Sequence, residues 1–435
     1  MVPPVLRLAP AEALRADDEL CDLIDTLHIT TPAWHGATTP RFRGDLHVMS
    51  QEHWQELTHA GEALLEVLDE LFQRLQAQPE WLERHFSMPP SWVHMSTGGA
   101  QWWNLFARLD VFHTVDGRWQ ICEINSDTPS GQTDMWALIE AYGGDETPWG
   151  TIPGADYEGR FVRLLQQLTP QRGKAATPPV LAIIYPTDIP EDLDLIAAYR
   201  RMGEAGGFDV VLGGPTNLRI EVDGSVSLFG RRVDVMLRHY KTDWWGERRR
   251  SRYDMPPIWD AEPFEVLGGL LDADAAGRVA IINPFASMPT QSKKAFAFLW
   301  EQLESFSEKS QQTIRAYVPK TYRFSGFEFE TLLREQKRWV LKSDFGCEGE
   351  EVVVGANVSA DHWRRSLKLA IPDRWVVQEF FEIQPLADGA LPNIGLYTVA
   401  GKSAGLYGRV NKAQKITDMN AVVLPVVIER GEERA

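Results

Sequence analysis

One stretch constrains this chain more than any other: Phe106 to Gln132, FARLDVFHTVDGRWQICEINSDTPSGQ. Two alternating runs flank Asp116-Gly117, a strong signal for a β-hairpin with a two-residue turn. If those two residues fill the turn, Val115 faces Arg118, Asp110 pairs with Glu123, and Arg108 pairs with Asn125. Side chains alternate across a strand. Arg108, Asp110, Phe112, Ile121, Glu123 and Asn125 then share one face, and Ala107, Leu109, Val111, Cys122 and Ile124 share the other, which reads as the core face.

Directly opposed carboxylates repel on a sheet, so something positive is expected between Asp110 and Glu123. With the Asn125 amide they form a set of hard oxygen donors suited to Mg²⁺. Arg108, on the same face, suits a phosphoryl or carboxylate oxygen. A solvated polar face with a surface ion pair would use the same residues. The tail favours the ligand-binding alternative: Ser126, Thr128, Ser130 and Gly131 make a loop of small donors beside the proposed metal.

The 435 residues suffice for two or three domains, and 44% hydrophobic with 24% charged residues is ordinary for a soluble globular protein. Sixteen tryptophans point to aromatic-rich cores or pockets. A net charge of −17 argues against binding nucleic-acid phosphates or anionic membranes. Cys21, Cys122 and Cys347 are sparse and lack CxxC spacing, so neither a disulfide framework nor a zinc site is expected, and a reducing cytoplasm fits. The N-terminal residues lack an apolar signal-peptide core, and no apolar run approaches the roughly 18 residues of a membrane span.

Along the chain, residues 1 to 50 read as irregular, with one short helix near Ala11 to Leu27. Trp54, Leu57, Ala60, Leu64, Leu68 and Leu71 fall at helical steps, and Pro79 ends that helix. A short helix around Trp81 to His85 follows. After the hairpin, helices are predicted over Asp134 to Tyr142 and Tyr157 to Leu168, then a linker over Pro170 to Pro179. VLAIIYP, FDVVLGGP, VDVMLRHY and VAIINP read as strands interleaved with helices at Pro190 to Gly203 and Pro263 to Leu271. The middle third is therefore expected to be a doubly wound α/β unit. It lacks GxGxxG, so a dinucleotide is not expected. From Thr290 the chain gives a helix (SKKAFAFLWEQL), strands RWVLKSD, VVVG and RWVVQEFF, a helix over Asp361 to Leu369, and a last hairpin turning at Gly401.

Lys342 ends an apolar strand ahead of Gly346 and Gly349, as in a β-hairpin lid that closes over phosphates. A glycine turn with a solvated lysine is the competing reading, and no Walker pattern is present. Lys294, on the later helix, and Arg409 in AGLYGRVNK read as ordinary residues when each is taken alone, whereas Gln378 and Glu379 at a strand end suit either an adenine edge or, for Glu379, a plain edge-strand charge. RHYKTDWWGE follows a predicted strand, where ligands sit in open α/β sheets, and it equally suits a packed aromatic corner. HExxH and an EF-hand loop are absent.

Taken together, four blocks resemble the synthetase domain of the glutathionylspermidine synthase family, circularly permuted ATP-grasp ligases. They are RLD (108–110) with CEINSDTPSG (122–131), SKKAFAFLWE (292–301), VLKSDFGCEGEEV (340–352), and VVQEFFE (376–382) with AGLYGRVNK (404–412). The resemblance implies a mixed α/β, permuted ATP-grasp fold. Residues 1–170 would carry the N-terminal helical segment and metal hairpin, 171–289 a Rossmann-like pre-ATP-grasp domain, and 290–435 the lysine-bearing lid and remaining core.

By the same resemblance, Asp110, Glu123 and Asn125 would hold Mg²⁺ on ATP. Lys294 and Lys342 would contact its phosphates under Gly346 to Gly349, and Gln378 and Glu379 would lie near adenine. Arg108 and Arg409 would stabilise the transferred phosphoryl group, and Thr128 and Ser130 would bind a carboxylate substrate. The implied activity joins a small-molecule carboxylate to an amine through an acyl phosphate, forming an amide and ADP. Two readings compete with it: an ATP-grasp-like protein that binds nucleotide without ligation, and a carbohydrate or peptide binder using a Trp-rich surface. Cys347 stands where the family loop has a basic residue, and no stretch of this sequence reads as the amidase domain of bifunctional members, so hydrolysis of the product is not expected. The polyamine-binding residues do not transfer, so glutathione and spermidine are not assumed.

Overall fold

The computed structural model describes residues 6–8, 42–98, 102–169, 178–187, 192–245, 264–346, 351–411 and 421–430. The expected helix near Ala11 to Leu27, most of the expected linker after Pro170, Cys347 and Gly349 lie outside these residues.

The long helix runs over Gln51–Ala77. Ser50 caps it in extended conformation, its hydroxyl accepting from the His53 N–H at 3.2 Å. Leu57, Ala60, Leu64, Leu68, Leu71 and Leu75 form its buried stripe. Gly61 lets this helix approach the strand Leu391–Val399 closely, since a Cβ there would lie 2.5 Å from Leu396. Replacing Ser50 by alanine leaves a first-turn N–H without its acceptor. It is expected to cost about 1 kcal/mol, measured as a shift in the urea midpoint.

This helix packs on a five-stranded antiparallel sheet, called here the site sheet. Its order is Val422–Leu424, Lys402–Asn411, Leu391–Val399, Phe106–His113 and Trp119–Asn125. Strands from early and late in the chain thus lie side by side. Asp110 pairs with Glu123 and Arg108 with Asn125, as expected, but by a different route. The turn is not two residues long. Thr114 N–H donates to Arg118 O and Gly117 N–H to Thr114 O, both at 2.9 Å, so Val115 to Gly117 form a three-residue loop. Gly117 closes it at φ 82°, which favours glycine. That shifts the register by one, and a bulge at Cys122 shifts it back. Ile121 consequently pairs with Val111 and is fully buried with it in the core, not on the polar face.

The middle of the chain forms a parallel sheet ordered Ala280–Ile282, Val235–Arg238, Val180–Ile184, Asp209–Gly213. Helices Leu193–Ala205 and Phe264–Ala275 belong to this unit, matching the α/β expectation. A three-stranded antiparallel sheet over Leu218–Ile220, Val226–Leu228 and Arg231–Arg232 lies beside it in sequence.

The fourth sheet, called the lysine sheet, is ordered Thr321–Arg323, Trp375–Glu379, Trp339–Ser343, Val352–Val354. It has its own core of Leu332, Trp339, Leu341, Trp363, Leu367 and Val377. The fifth sheet joins Leu6–Leu8, His47–Met49, Val426–Ile428, Gly150–Thr151 and Glu146–Thr147. Helices Pro90–Thr97 and Glu308–Tyr317 and the two last strands add to the expected elements. Among the described residues, no helix is long and apolar enough to cross a membrane, and no tryptophan is exposed.

Candidate active site

The polar face of the hairpin carries Arg108, Asp110, Glu123 and Asn125. Both oxygens of Asp110 are taken: Arg108 Nε donates to one at 2.8 Å and Arg409 Nη2 to the other at 3.0 Å. Asn393 adds a further hydrogen bond. Burial raises this carboxyl, but the two guanidinium charges outweigh burial and hold it below the usual carboxylate range. Arg409 reaches Asp110 because Lys402–Asn411 lies one strand beyond Leu391–Val399 in the site sheet. Its guanidinium stacks 5.3 Å over Tyr407. Arg409 Nε and Asn125 Nδ2 are both buried without a partner, so the face keeps unspent polar groups.

The loop after the hairpin is held from several directions. The Ser130 carbonyl accepts from Arg108 Nη1 at 2.9 Å and from the Tyr397 hydroxyl at 3.0 Å. Gln291 Oε1 accepts from the N–H groups of Ser126 and Asp127 at 2.8 and 3.1 Å. Thr128 and Ser130 are half-buried beside this face.

Asp127, a residue the sequence reading did not single out, is the loop's anchor. Its carboxylate accepts from Arg238 Nη2 at 2.5 Å, from Thr242 N–H at 2.8 Å, and from the Thr242 and Ser287 hydroxyls at 2.6 and 3.1 Å. Arg238 is fully buried. Part of RHYKTDWWGE is thus structural: Thr242 clasps Asp127, and Trp245 is buried edge-on against Tyr240 and Phe285. Glu247 lies outside the described residues.

The lysine sheet meets this face from the other side. Lys342 is buried and donates to Gln378 Oε1 at 2.7 Å, and Gln378 Nε2 donates to the Thr321 hydroxyl at 3.0 Å. The Lys342 charge acts on Cys122, whose thiol burial pushes up to about 11. Glu379, on the opposite face of its strand, takes Arg338 at 2.7 Å.

The tandem lysines divide. Lys294 Nζ donates to Phe86 O at 2.9 Å and to Asp373 O, and it lies 3.7 Å from the Asp344 carboxylate. Burial, its largest influence, pushes this ammonium below the usual lysine range. Lys293, which the sequence reading passed over, instead reaches Glu123 Oε1 at 3.2 Å and Gly346 O at 2.7 Å. Cys122, Glu123, Gln291, Ser292 and Lys293 line one small pocket. Two carboxylates and an amide on one face are hard oxygen donors of the kind that suit Mg²⁺, but Asp110 and Glu123 would first have to give up the arginine and lysine groups that now hold them. Among the described residues, no group of three or more His, Cys, Asp or Glu side chains is arranged to hold a metal. Any divalent ion here would therefore take part of its coordination from a ligand.

The model of the glutathionylspermidine synthase pre-ATP-grasp family matches residues 33–429. The apo structure of a glutathione synthetase-like effector from Globodera pallida aligns with a TM-score of 0.58 at 12% identity, covering 96% of this chain and 99% of that one. A protein assigned as a gamma-glutamylcysteine synthetase from Methylobacillus flagellatus KT aligns with a TM-score of 0.45 at 13% identity, covering 82% and 87% of the two chains. No curated protein matches the sequence.

Proposed function

The chain belongs to the glutathionylspermidine synthase pre-ATP-grasp family, and from that premise we propose that it is an ATP- and Mg²⁺-dependent ligase joining a carboxylate to an amine. The observation that carries this reading is the meeting at Lys293. One ammonium bridges Glu123 of the early hairpin and Gly346, which follows the strand Trp339–Ser343. The three-part division at 170 and 289, and the circular permutation, belong to the same reading. Their support is the site sheet, in which early and late strands are neighbours.

In this reading Asp110, Glu123 and Asn125 hold Mg²⁺, which would neutralise phosphate charge. Lys342 and Lys293 face the phosphates, with the backbone at Gly346 close by. Gln378 orients Lys342 through the hydrogen bond described above, and Glu379 lies at the end of the same strand, toward the adenine side. Arg108 and Arg409 are placed to leave Asp110 for the transferred phosphoryl group, and the unpartnered Arg409 Nε supports that role. Thr128 and Ser130 flank the carboxylate substrate. A carboxylate is a poor electrophile, and phosphorylation supplies the leaving group an amine needs. The protein's part is positioning, charge neutralisation and exclusion of water.

Nucleotide binding without ligation is the second reading, and one observation favours it. The Lys294 amine is committed to two backbone carbonyls and so is not offered to a phosphate. Incubation of ATP, Mg²⁺ and a panel of acids and amines separates the two: the ligase releases ADP, and the binder does not. Either way, a non-hydrolysable ATP analogue with Mg²⁺ at a hundred times its Kd is expected to stabilise the fold by about 2.7 kcal/mol. The readout is the melting temperature, and no shift at saturation would count against both readings.

A further inference from the structure

Every carboxylate on the polar face is already compensated. Asp110 carries Arg108 and Arg409, and Glu123 carries Lys293. On the hairpin face itself two anions therefore face three cations, and Lys342 is near enough to act on Cys122 beside Glu123; Asp344, itself paired with Arg374, and Glu351 lie on the Gly346 side of Lys293. Such a face repels a bare divalent ion and attracts a polyphosphate.

Lys293 holds the decisive position among these cations. It is 5% exposed, and its ammonium is shared between Glu123 Oε1 and the Gly346 carbonyl. Its own N–H donates to Asp344 O at 2.9 Å. Backbone and side chain together fix it between the hairpin and the segment after Lys342. Lys294, one residue on, is spent on Phe86, Asp373 and Asp344 and has no part in this contact.

We propose that Lys293 is a positioning residue that stands on Glu123 in place of the divalent cation. It excludes bare metal and releases Glu123 only when an anion takes its ammonium, so that metal and nucleotide enter together. The inference rests on the ligase reading for the identity of that anion, but exclusion of the bare cation does not depend on it.

The test is a Mn²⁺ titration of the full chain, with free Mn²⁺ followed by electron paramagnetic resonance, first without nucleotide and then with a saturating non-hydrolysable ATP analogue. The wild type is expected to bind no Mn²⁺ at the site until the analogue is present. Lys293→Ala is expected to bind Mn²⁺ without nucleotide at least about tenfold more tightly than the wild type. Lys293→Arg restores exclusion, and adding Glu123→Gln to Lys293→Ala removes the gain. A purely structural lysine would change the melting temperature and leave Mn²⁺ affinity alone. If Lys293→Ala fails to fold, Lys293→Gln keeps a donor for Gly346 without the charge and is scored the same way.

Equal Mn²⁺ affinity in wild type and variant overturns the proposal, as does a gain that survives Glu123→Gln. If the analogue never binds but Lys293→Ala still gains Mn²⁺, the ligase reading fails and cation exclusion stands. If the analogue binds and no variant gains Mn²⁺, the ligase reading stands and the role of Lys293 falls.

Discussion

Replacing Asp127 by alanine is expected to destabilise the fold by about 3 to 5 kcal/mol, the usual cost of removing one partner of a buried ion pair. Arg238 would keep its carbonyl acceptors, Asn283 O at 3.1 Å and Tyr240 O at 2.8 Å, but no anion. The Thr242 N–H and hydroxyl and the Ser287 hydroxyl would lose their acceptor at the same moment. Removing both charges, in Asp127→Asn with Arg238→Met, should recover part of the loss, because the stranded cation goes too. The measurement is the urea midpoint at pH 7, and a loss below about 1 kcal/mol would remove Asp127 as the anchor.

The effect has a pH signature. Burial raises the Asp127 carboxyl, but Arg238 and Thr242 outweigh it and leave it below its ordinary value of 3.8. A carboxyl depressed in the folded state binds fewer protons there than in the unfolded chain. Its stabilisation is complete above pH 3.8 and is lost as pH falls through the depressed folded value. The gap between wild type and Asp127→Ala should therefore be widest near neutrality and close in strong acid.

Much of the fold was legible because its signals are local. The helical spacing of Leu57, Leu64, Leu68 and Leu71 and the apolar run of VLAII needed no tertiary information. The hairpin pairing of Asp110 with Glu123 was legible too, although its two irregularities were not. A three-residue turn and a bulge at Cys122 each displace the register by one and cancel, whereas the face of Ile121 depends on the position between them. The strands on either side of Pro425 are short, and a proline within an apolar run disguises a strand. Its carbonyl still accepts the His47 N–H at 2.8 Å.

Site residues were harder to read where geometry decides between neighbours. Lys293 and Lys294 are adjacent in sequence at the start of a helix, where successive side chains point about 100° apart. A motif names the pair's location but not which amine meets Glu123. Asp127 sits in a loop that reads as a row of small donors, and its partner Arg238 is 111 residues away in a segment that looked like a pocket. No spacing rule links positions so far apart, and only the packing of the hairpin loop against the end of Val235–Arg238 shows why both residues are needed.

Glu123→Ala is expected to lower ATP-dependent ligation about a thousandfold or more, the scale on which charge stabilisation at a reacting phosphate acts. Of the two carboxylates on the hairpin face, Glu123 is the more exposed and carries a single lysine, whereas Asp110 is occupied by two arginines. Removing Glu123 would leave the metal to Asp110 and the Asn125 amide, with Lys293 still adding positive charge. Glu123→Gln keeps the side-chain shape and one oxygen donor, so its loss should be smaller than that of alanine. A nucleotide analogue offered without metal should bind both variants at least as well as wild type, because an anion is gone from an anion-binding face. That pairing separates a lost metal ligand from a collapsed site, in which analogue binding would fail as well. ADP release measured with a productive acid and amine decides the matter: turnover undiminished in Glu123→Ala would remove the hairpin from the chemistry, whatever else the chain binds.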